Sequence, residues 1–315
     1  MNKFFARSTI TLSLLAANHA FAGGLWLNEY GDFSGGRAAA GTAAGTGEAA
    51  GIIYNPAAAR DVKSGELFVA GGYLSPSAEF DVESSSPLLG DSDGGSAGSG
   101  APGAALAYVN DFGMDNWDFG VSVGGLAGAG LDYDSDWVGR YQATEVNIIL
   151  LAVSTSIAWH ATDKLTLAIA PQYYYSELEL DVNLPNPNLP FVGEDSQVEL
   201  DGDDNGAAFR AGAIYELTGQ TRIGIAYQSE LDIEYSGDFK LKAGNADISR
   251  ISDSDTELTF AQFVRVSLHH DFSDRLGLDF SVGWDEWSAL DQVLINVDAT
   301  GGGQGLKKNW DDTYH

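Results

Sequence analysis

The sequence predicts an all-β protein, an antiparallel transmembrane β-barrel preceded by a separate N-terminal segment. Three observations predict it. From Glu66 onward, apolar residues alternate with small or polar ones in segment after segment, the pattern of strands with two unlike faces. The links between these segments alternate short and long. No stretch reaches the roughly 18 uninterrupted apolar residues that a membrane-crossing helix needs, and closed barrels are the other architecture that satisfies every backbone polar group in lipid.

The elements follow in chain order. Lys3 and Arg7, an apolar run from Ile10 to Ala17 and the small-x-small triplet Ala20-Phe21-Ala22 read as a cleaved secretory signal peptide over residues 1–22. Residues 23–63 are rich in Gly and Ala and lack period-two alternation; short helices are expected near Arg37 to Ala44. The barrel is placed over 64–315. Its clearest strand has Leu276, Leu278, Phe280, Val282 and Trp284 on one face and Gly277, Asp279, Ser281, Gly283 and Asp285 on the other. Trp117 to Gly124, Leu165 to Ala170 and Arg222 to Tyr227 alternate in the same way. In a barrel the apolar face meets lipid and the small polar face lines the lumen.

Tight links are expected near Asp111 to Asn116, Ala161 to Lys164, Thr218 to Thr221 and Phe272 to Arg275. Long polar loops are expected over Ser84 to Ala101, Gly128 to Gly139, Asp181 to Gly206, Gly237 to Thr256 and Asp298 to Lys308. This is the alternation of periplasmic turns and extracellular loops. Trp117, Tyr141, Trp159, Tyr173, Tyr227, Phe272 and Trp284 fall near strand ends, where amphipathic rings suit the bilayer interface. About nine strands and the start of a tenth, Asn309 to Tyr314, can be placed, and since a barrel in lipid must close the barrel is expected to be C-terminally incomplete.

Composition excludes several functions. With no cysteine there is no disulfide scaffold, thiol chemistry or thiolate metal site. The net charge is −29, and loss of Lys3 and Arg7 with a signal peptide that holds no acid makes it −31. Nucleic acid, which needs a basic footprint, is not an expected partner. Asp201, Asp203 and Asp204 lack the Gly and Glu of a calcium loop, so neither metal nor cofactor is expected. His160, His269 and His270 have no serine or acid at a spacing that implies a triad. They read as membrane-interface histidines, and no enzymatic activity is expected.

Leu25-Trp26-Leu27-Asn28-Glu29 followed by Gly35-Gly36-Arg37-Ala38, then Tyr54-Asn55-Pro56-Ala57, resembles the amino-terminal plug of the FadL family of outer-membrane transporters, with its Asn-Pro-Ala motif just before the first strand. Trp137 to Tyr141, Thr162 to Leu165, Ile214 to Tyr227 and Trp284 to Ser288 look like shared strands and hairpins. The resemblance implies a fourteen-stranded barrel with residues 23–63 as a plug, or hatch. It also implies diffusive uptake of long-chain fatty acids or other hydrophobic compounds, with plug rearrangement and lateral exit through a kink in the third strand. Outer-membrane lipid and lipopolysaccharide would surround a monomeric barrel.

Candidate residues follow from that likeness. Arg37, Asn55, Pro56 and Ala57 would serve plug and gating. Gly124, Gly125 and Gly128 lie on the third strand, where glycines can mark a bulge and the kink is expected. Leu88, Leu89, Leu184 and Phe191 would offer an external apolar landing surface. Family members can place a basic side chain in the lumen to meet a carboxylate. Here the fifth strand has Tyr174, Ser176, Glu177 and Glu179 instead, leaving Arg210, Arg265 and Lys307 as candidates. Arg210 and Arg265 fall on polar strand faces and should point inward, where pairing with lumenal acids competes with ligand binding. A general aqueous porin and a surface adhesin or phage receptor are the alternatives.

Overall fold

The computed structural model describes residues 30–62, 65–86, 89–185, 195–243, 246–290, 292–297, 302–307 and 310–315. The signal-peptide reading over 1–22 and the block Leu25 to Glu29 lie outside the described residues. Beyond the N-terminal segment the chain is antiparallel strand: β1 (Glu66–Leu74), β2 (Ala101–Asn110), β3 (Trp117–Asp132), β4 (Glu145–His160), β5 (Leu165–Leu184), β6 (Ser196–Thr218), β7 (Thr221–Gln228), β8 (Leu231–Ala243), β9 (Ala246–Phe260), β10 (Phe263–Ser273), β11 (Leu276–Asp285), β12 (Gln292–Val297), β13 (Gly302–Lys307) and β14 (Thr313–Tyr314). The paired path runs β1-β2-β3-β4-β5-β6-β7-β10-β11-β14, with β8, β9, β12 and β13 continuing the upper part of the wall.

The fourteen segments make ten wall strands. β7 and β8 are one strand broken after Gln228, β9 and β10 one broken after Phe260, and β11 and β12 one broken by a 3-10 turn at Trp287–Leu290. β13 and β14 form the tenth. The tight links predicted from sequence all join strands at one end of the wall, as 111–116, 161–164, 219–220 and 274–275.

Alternation is realised inside out, as lipid requires. On β11 the outward residues Leu276, Leu278, Phe280 and Val282 are about half exposed; on β4 so are Ile149, Leu151, Val153 and Ile157, and on β5 Leu167, Ile169 and Tyr173. In water this much contiguous apolar surface would be an aggregation liability; in a bilayer it is the solvated face. Stacked Trp117 and Trp159, with centroids 6.2 Å apart, stand at the end with the tight links. The inward face of the lower wall carries small and polar residues, among them Ser122, Ser154, Ser156, Thr166, Ala170 and Ser267, all buried.

Four predicted loops are strand in part, among them Asp298 to Lys308, which holds β13. β5 is 20 residues long and β6 is 23, well beyond the roughly 9–11 that cross a bilayer. The hairpin β8–β9 occupies most of the segment from Gly237 to Thr256. Similarly, β3 continues to Asp132. The misreading has a physical cause. Above Tyr173 the outward positions of β5 become Glu177, Glu179 and Asp181, while inward positions keep Leu178, Leu180 and Val182. Period two persists, but the outer face meets water rather than lipid, and its acids read as loop. These ends project beyond the apolar band.

Inside the upper wall the lining is apolar. Tyr174, Leu178, Leu231, Ile233, Tyr235, Leu258, Phe260 and Trp287 are buried in one cluster. Below it lies the N-terminal segment, which folds as 3-10 turns at Phe33–Arg37, Thr42–Ala44 and Pro56–Asp61 and a short helical turn at Gly51–Tyr54. The turn at Pro56–Asp61 packs against β3, β4, β5 and β6, and that at Thr42–Ala44 against β6, β7 and β10. Contact with strands around the wall sets the segment on the inner side.

Candidate functional site

Asn55 organises the N-terminal segment. Its side chain is fully buried. Oδ1 accepts from the Ala57 amide at 2.9 Å, capping the turn that Pro56 starts, a role for which Asn is well suited. Nδ2 donates to the wall carbonyls of Ile225 at 3.2 Å and Ala213 at 3.5 Å, and to Ala43 within the segment. Such an approach leaves no room for side chains on the wall. A Cβ at Gly212 would run into the Asn55 amide, and one at Gly224 into the Ala43 backbone.

Polar side chains fasten the rest. Arg37 pairs with Asp279 of β11 at 2.8 Å. Arg60 bonds Thr166 of β5 at 2.9 Å and Glu216 of β6 at 3.0 Å. Arg222 of β7 reaches Asp61 at 3.5 Å and the Gly45 carbonyl at 3.0 Å. The amides of Gly41 and Ala43 donate to Ser281 and Ser267. Arg37, Asn55, Pro56 and Ala57 therefore all belong to the contact between segment and wall.

Two of the three histidines do not face the membrane. His160 sits 2.6 Å from Asp118 and 3.4 Å from Thr166; His269 shares Asp279 with Arg37, at 2.8 Å. Both occupy inward positions at the rim of the N-terminal segment. His270 alone fits the interface reading, its ring edge-on to Phe272 at 4.5 Å.

The ladder between β3 and β4 shifts register between Gly125 and Ala127, a one-residue bulge where the glycines predicted a kink. Gly128 lies just beyond it, paired with Ile149. A Cβ at Gly124 would stand 3.6 Å from its nearest neighbours, and one at Gly125 4.0 Å, so crowding does not demand these two glycines. A small cavity lies beside the bulge, lined by Ile52, Ile53, Ser122, Val123, Gly124, Ala152, Ser154 and Gln172.

A larger cavity separates the N-terminal segment from β6 and β10, and Tyr30, Tyr54, Arg210, Phe263 and Arg265 line it. Both arginines point inward, as predicted. Their guanidinium carbons lie over the Phe263 ring, at 5.3 Å for Arg210 and 4.4 Å for Arg265. Arg265 is neutralised by Asp285 at 2.8 Å. Arg210 is 4% exposed, and among the described residues it bonds the neutral Gln228 amide at 2.9 Å and pairs with no carboxylate. A guanidinium does not shed its proton, and burying an ion costs several kcal/mol; cation–π contact offsets only part of this. Of the two arginines that line the cavity, Arg265 has a carboxylate partner and Arg210 has none among the described residues.

The other candidates are scattered. Leu89 contributes a carbonyl to Arg140 in the loop region, and Leu184 is exposed at the end of β5. Leu88 and Phe191 lie outside the described residues. Lys307 ends β13, paired with Gln292, and its side chain is not described. Sequence reasoning missed Phe263, Gln228, Tyr30 and Tyr54, which only the wall register and the fold of the N-terminal segment bring to Arg210.

The family described as outer membrane protein transport protein (OMPP1/FadL/TodX) matches residues 13–315. Outer membrane protein P1 of Haemophilus influenzae is 24% identical over 93% of this chain and 72% of its own length. The long-chain fatty acid transport protein of Escherichia coli O6:H1 is 21% identical over 94% and 73%. Among solved structures, a Pseudomonas aeruginosa FadL homologue superposes with TM-score 0.76 at 20% identity, covering 92% of this chain and 76% of that one. The Ralstonia pickettii toluene transporter TbuX superposes with TM-score 0.65 at 21% identity, covering 84% and 75%.

Proposed function

The chain belongs to the OMPP1/FadL/TodX family of outer-membrane transport proteins, and from that premise we propose that it carries long-chain fatty acids or related hydrophobic compounds inward by diffusion. The family consists of transport channels, not enzymes. In this reading residues 23–63 are a plug hung in the lumen, ligand collects in the cavity above it, and movement of the plug frees an exit through the bulge in β3. The single observation that carries the reading is Arg210, a buried cation without a carboxylate partner among the described residues, facing a cavity walled by aromatic rings. A fatty acid supplies what that place lacks, an anionic head for the guanidinium and an apolar tail for Phe263 and the lining above it.

The fastening of the plug suits such a mechanism. Its contacts to the wall run largely through side-chain hydrogen bonds and ion pairs around Asn55, Arg37 and Arg60. These exchange for water at modest net cost, about 0.5–1.5 kcal/mol for a neutral hydrogen bond and about 1.5–3 kcal/mol where a charged group takes part.

A second reading, uptake of neutral aromatic compounds, is favoured by the rings of Tyr30, Tyr54 and Phe263 around the cavity and by the toluene transporters among the structural relatives. One assay separates the two. Arg210→Met keeps the bulk and removes the charge. If a carboxylate is recognised, oleate uptake falls by roughly tenfold or more, since hydrogen bonds to charged groups contribute about 1.5–3 kcal/mol, while toluene uptake is unchanged. Loss of neither, at normal surface expression, would overturn the role of Arg210. A wild-type protein that moves toluene but not oleate would establish the second reading.

A further inference from the structure

The barrel wall contains a second irregularity, away from the bulge in β3 and nearer the extracellular side. Below it β6 pairs with β7, Arg210 opposite Gln228. Above it β6 pairs with β8, Asp203 opposite Ser236. Between these registers, residues 204–209 of β6 face the break at Ser229 and Glu230 without a continuous ladder.

Side chains bond backbone amides across this stretch. The Phe209 amide donates to Ser229 Oγ at 3.1 Å, and the Glu234 amide to an Asp204 carboxylate oxygen at 3.2 Å. At the lower end of this stretch Ser229 N–H also donates to the Phe209 carbonyl at 3.0 Å. An unsatisfied backbone group facing lipid is costly. Here the amides have partners that can follow by rotating a side chain, so the strands can separate without orphaning every group at once.

The flanks of this seam are unlike its surroundings. Outside its lower end, Phe209 and Tyr227 pack edge to face at 5.8 Å, at the outer limit of the apolar band. Inside, the next residue is Arg210, and Phe263 pairs with Gln228 across the neighbouring ladder. Small residues face inward along the seam: Gly206 lies so close to Leu231 and Ile233 that any Cβ would strike both. The matching gap on the far side of the β8–β9 hairpin, between Phe263↔Asp285 below and Glu257↔Leu294 above, is filled from within by the buried Trp287. At the seam between β6 and β8 the buried Leu231 and Ile233 side chains lie against Gly206 from within, and a passing chain would displace them.

We propose that this seam is a lateral entry port, through which an apolar chain dissolved at the outer-leaflet interface passes between β6 and β8 directly into the Arg210 cavity. The inference rests on the transport reading above and adds a route of entry. A ligand sliding past Phe209 and Tyr227, below the exposed Asp203, Asp232 and Glu234, presents its head to the guanidinium on arrival. Water is never crossed, which is the costly step for a poorly soluble compound.

The chain has no cysteine, so engineered pairs test the port cleanly. Ala207 and Asp232 are exposed outward positions within the seam, opposite each other if the Asp203↔Ser236 register is continued. The double variant Ala207→Cys/Asp232→Cys is compared, oxidised and reduced, with Asp203→Cys/Ser236→Cys in the intact ladder just above. Uptake of labelled oleate is measured in cells with equal surface protein. The port predicts a several-fold slower uptake for the oxidised seam pair, restored by reductant, and no change for the control pair. Equal uptake by oxidised and reduced seam protein overturns the port. Equal slowing by both staples also overturns it, because stiffening of the wall then explains the effect. If neither form moves oleate although the barrel is folded, the transport reading itself falls and the port with it.

Discussion

Arg140 and Asp195 form an ion pair of 2.7 Å that is almost entirely withdrawn from solvent, their side chains 1% and 7% exposed. The guanidinium also donates to the Leu89 carbonyl at 2.7 Å and the Trp137 carbonyl at 3.1 Å. One side chain therefore ties together the β1–β2, β3–β4 and β5–β6 connections at the end of the wall opposite the tight links. Removing one partner of a buried pair leaves a naked charge and costs about 3–5 kcal/mol. Arg140→Ala should make these connections sensitive to protease added to intact cells while the barrel below stays resistant. Arg140→Lys should restore part of the protection, since lysine keeps the charge without the fork. Wild-type resistance in Arg140→Ala would show that the loops are held by other contacts.

Gly224 and Gly212 yield a test of how the N-terminal segment is seated. A methyl group at Gly224 must displace the Ala43 backbone, and overpacking of this kind costs about 1–3 kcal/mol. Gly224→Ala is expected to loosen the segment and raise ion conductance in planar bilayers. Gly103→Ala, at a position with no neighbour within 4 Å, is the matched control and should conduct as the parent does. Indistinguishable conductance of the two variants would refute the seating described for Ala43.

At the bulge in β3 the same reasoning runs the other way. Gly124 and Gly125 have room for a Cβ, so small substitutions there should be tolerated. Leucine at both positions is expected to crowd the bulge, the one at Gly124 filling the cavity against Ile52 and Ile53, and to abolish uptake while oleate binding to the purified protein persists. Transport at the parental rate in that double variant would remove the bulge from the exit path.

Asp181 offers a test by pH. It stands on the part of β5 that projects beyond the apolar band, opposite Glu145 and Glu199. Burial first, then the charges of Glu199 and Glu145, push its carboxyl up to about 6. The folded state therefore holds a proton that the unfolded chain releases near pH 4. Stability from this group is greatest below about pH 4 and declines as pH rises to about 6. Asp181→Asn should raise the melting temperature at neutral pH and flatten its slope between about pH 4 and pH 6. A slope unaltered by the substitution would assign the pH response to other acids.

The sequence makes the lower wall plain because two solvents mark its two faces. Leu276 to Trp284 needs only the choice between core and lipid, and the rhythm of short and long links makes it. Higher up, both the outer face of β5 and a polar loop meet water, so Glu177, Glu179 and Asp181 look the same in either and the strand ends are lost to reading. The site is legible only in part for a related reason. That Arg210 and Arg265 point inward follows from parity along a strand. That Asp285 neutralises one and leaves the other alone depends on register between β10 and β11, which no local pattern encodes. The inward turn of His160 was hidden likewise, since its partner Asp118 lies on a neighbouring strand.

The acidic upper faces of β5, β6, β8 and β9 bear on kinetics as well as on folding. Glu179, Asp201, Asp238 and Asp253 stand in register across four strands, with Lys240 the nearby counter-charge on Asp201. An anion diffusing toward this rim meets a repulsive field, and encounter rates governed by such fields change with ionic strength. At 0.1 M salt the field decays over about 10 Å. Association of a fatty-acid anion should therefore quicken as salt is added, while that of a neutral aromatic should be indifferent to it.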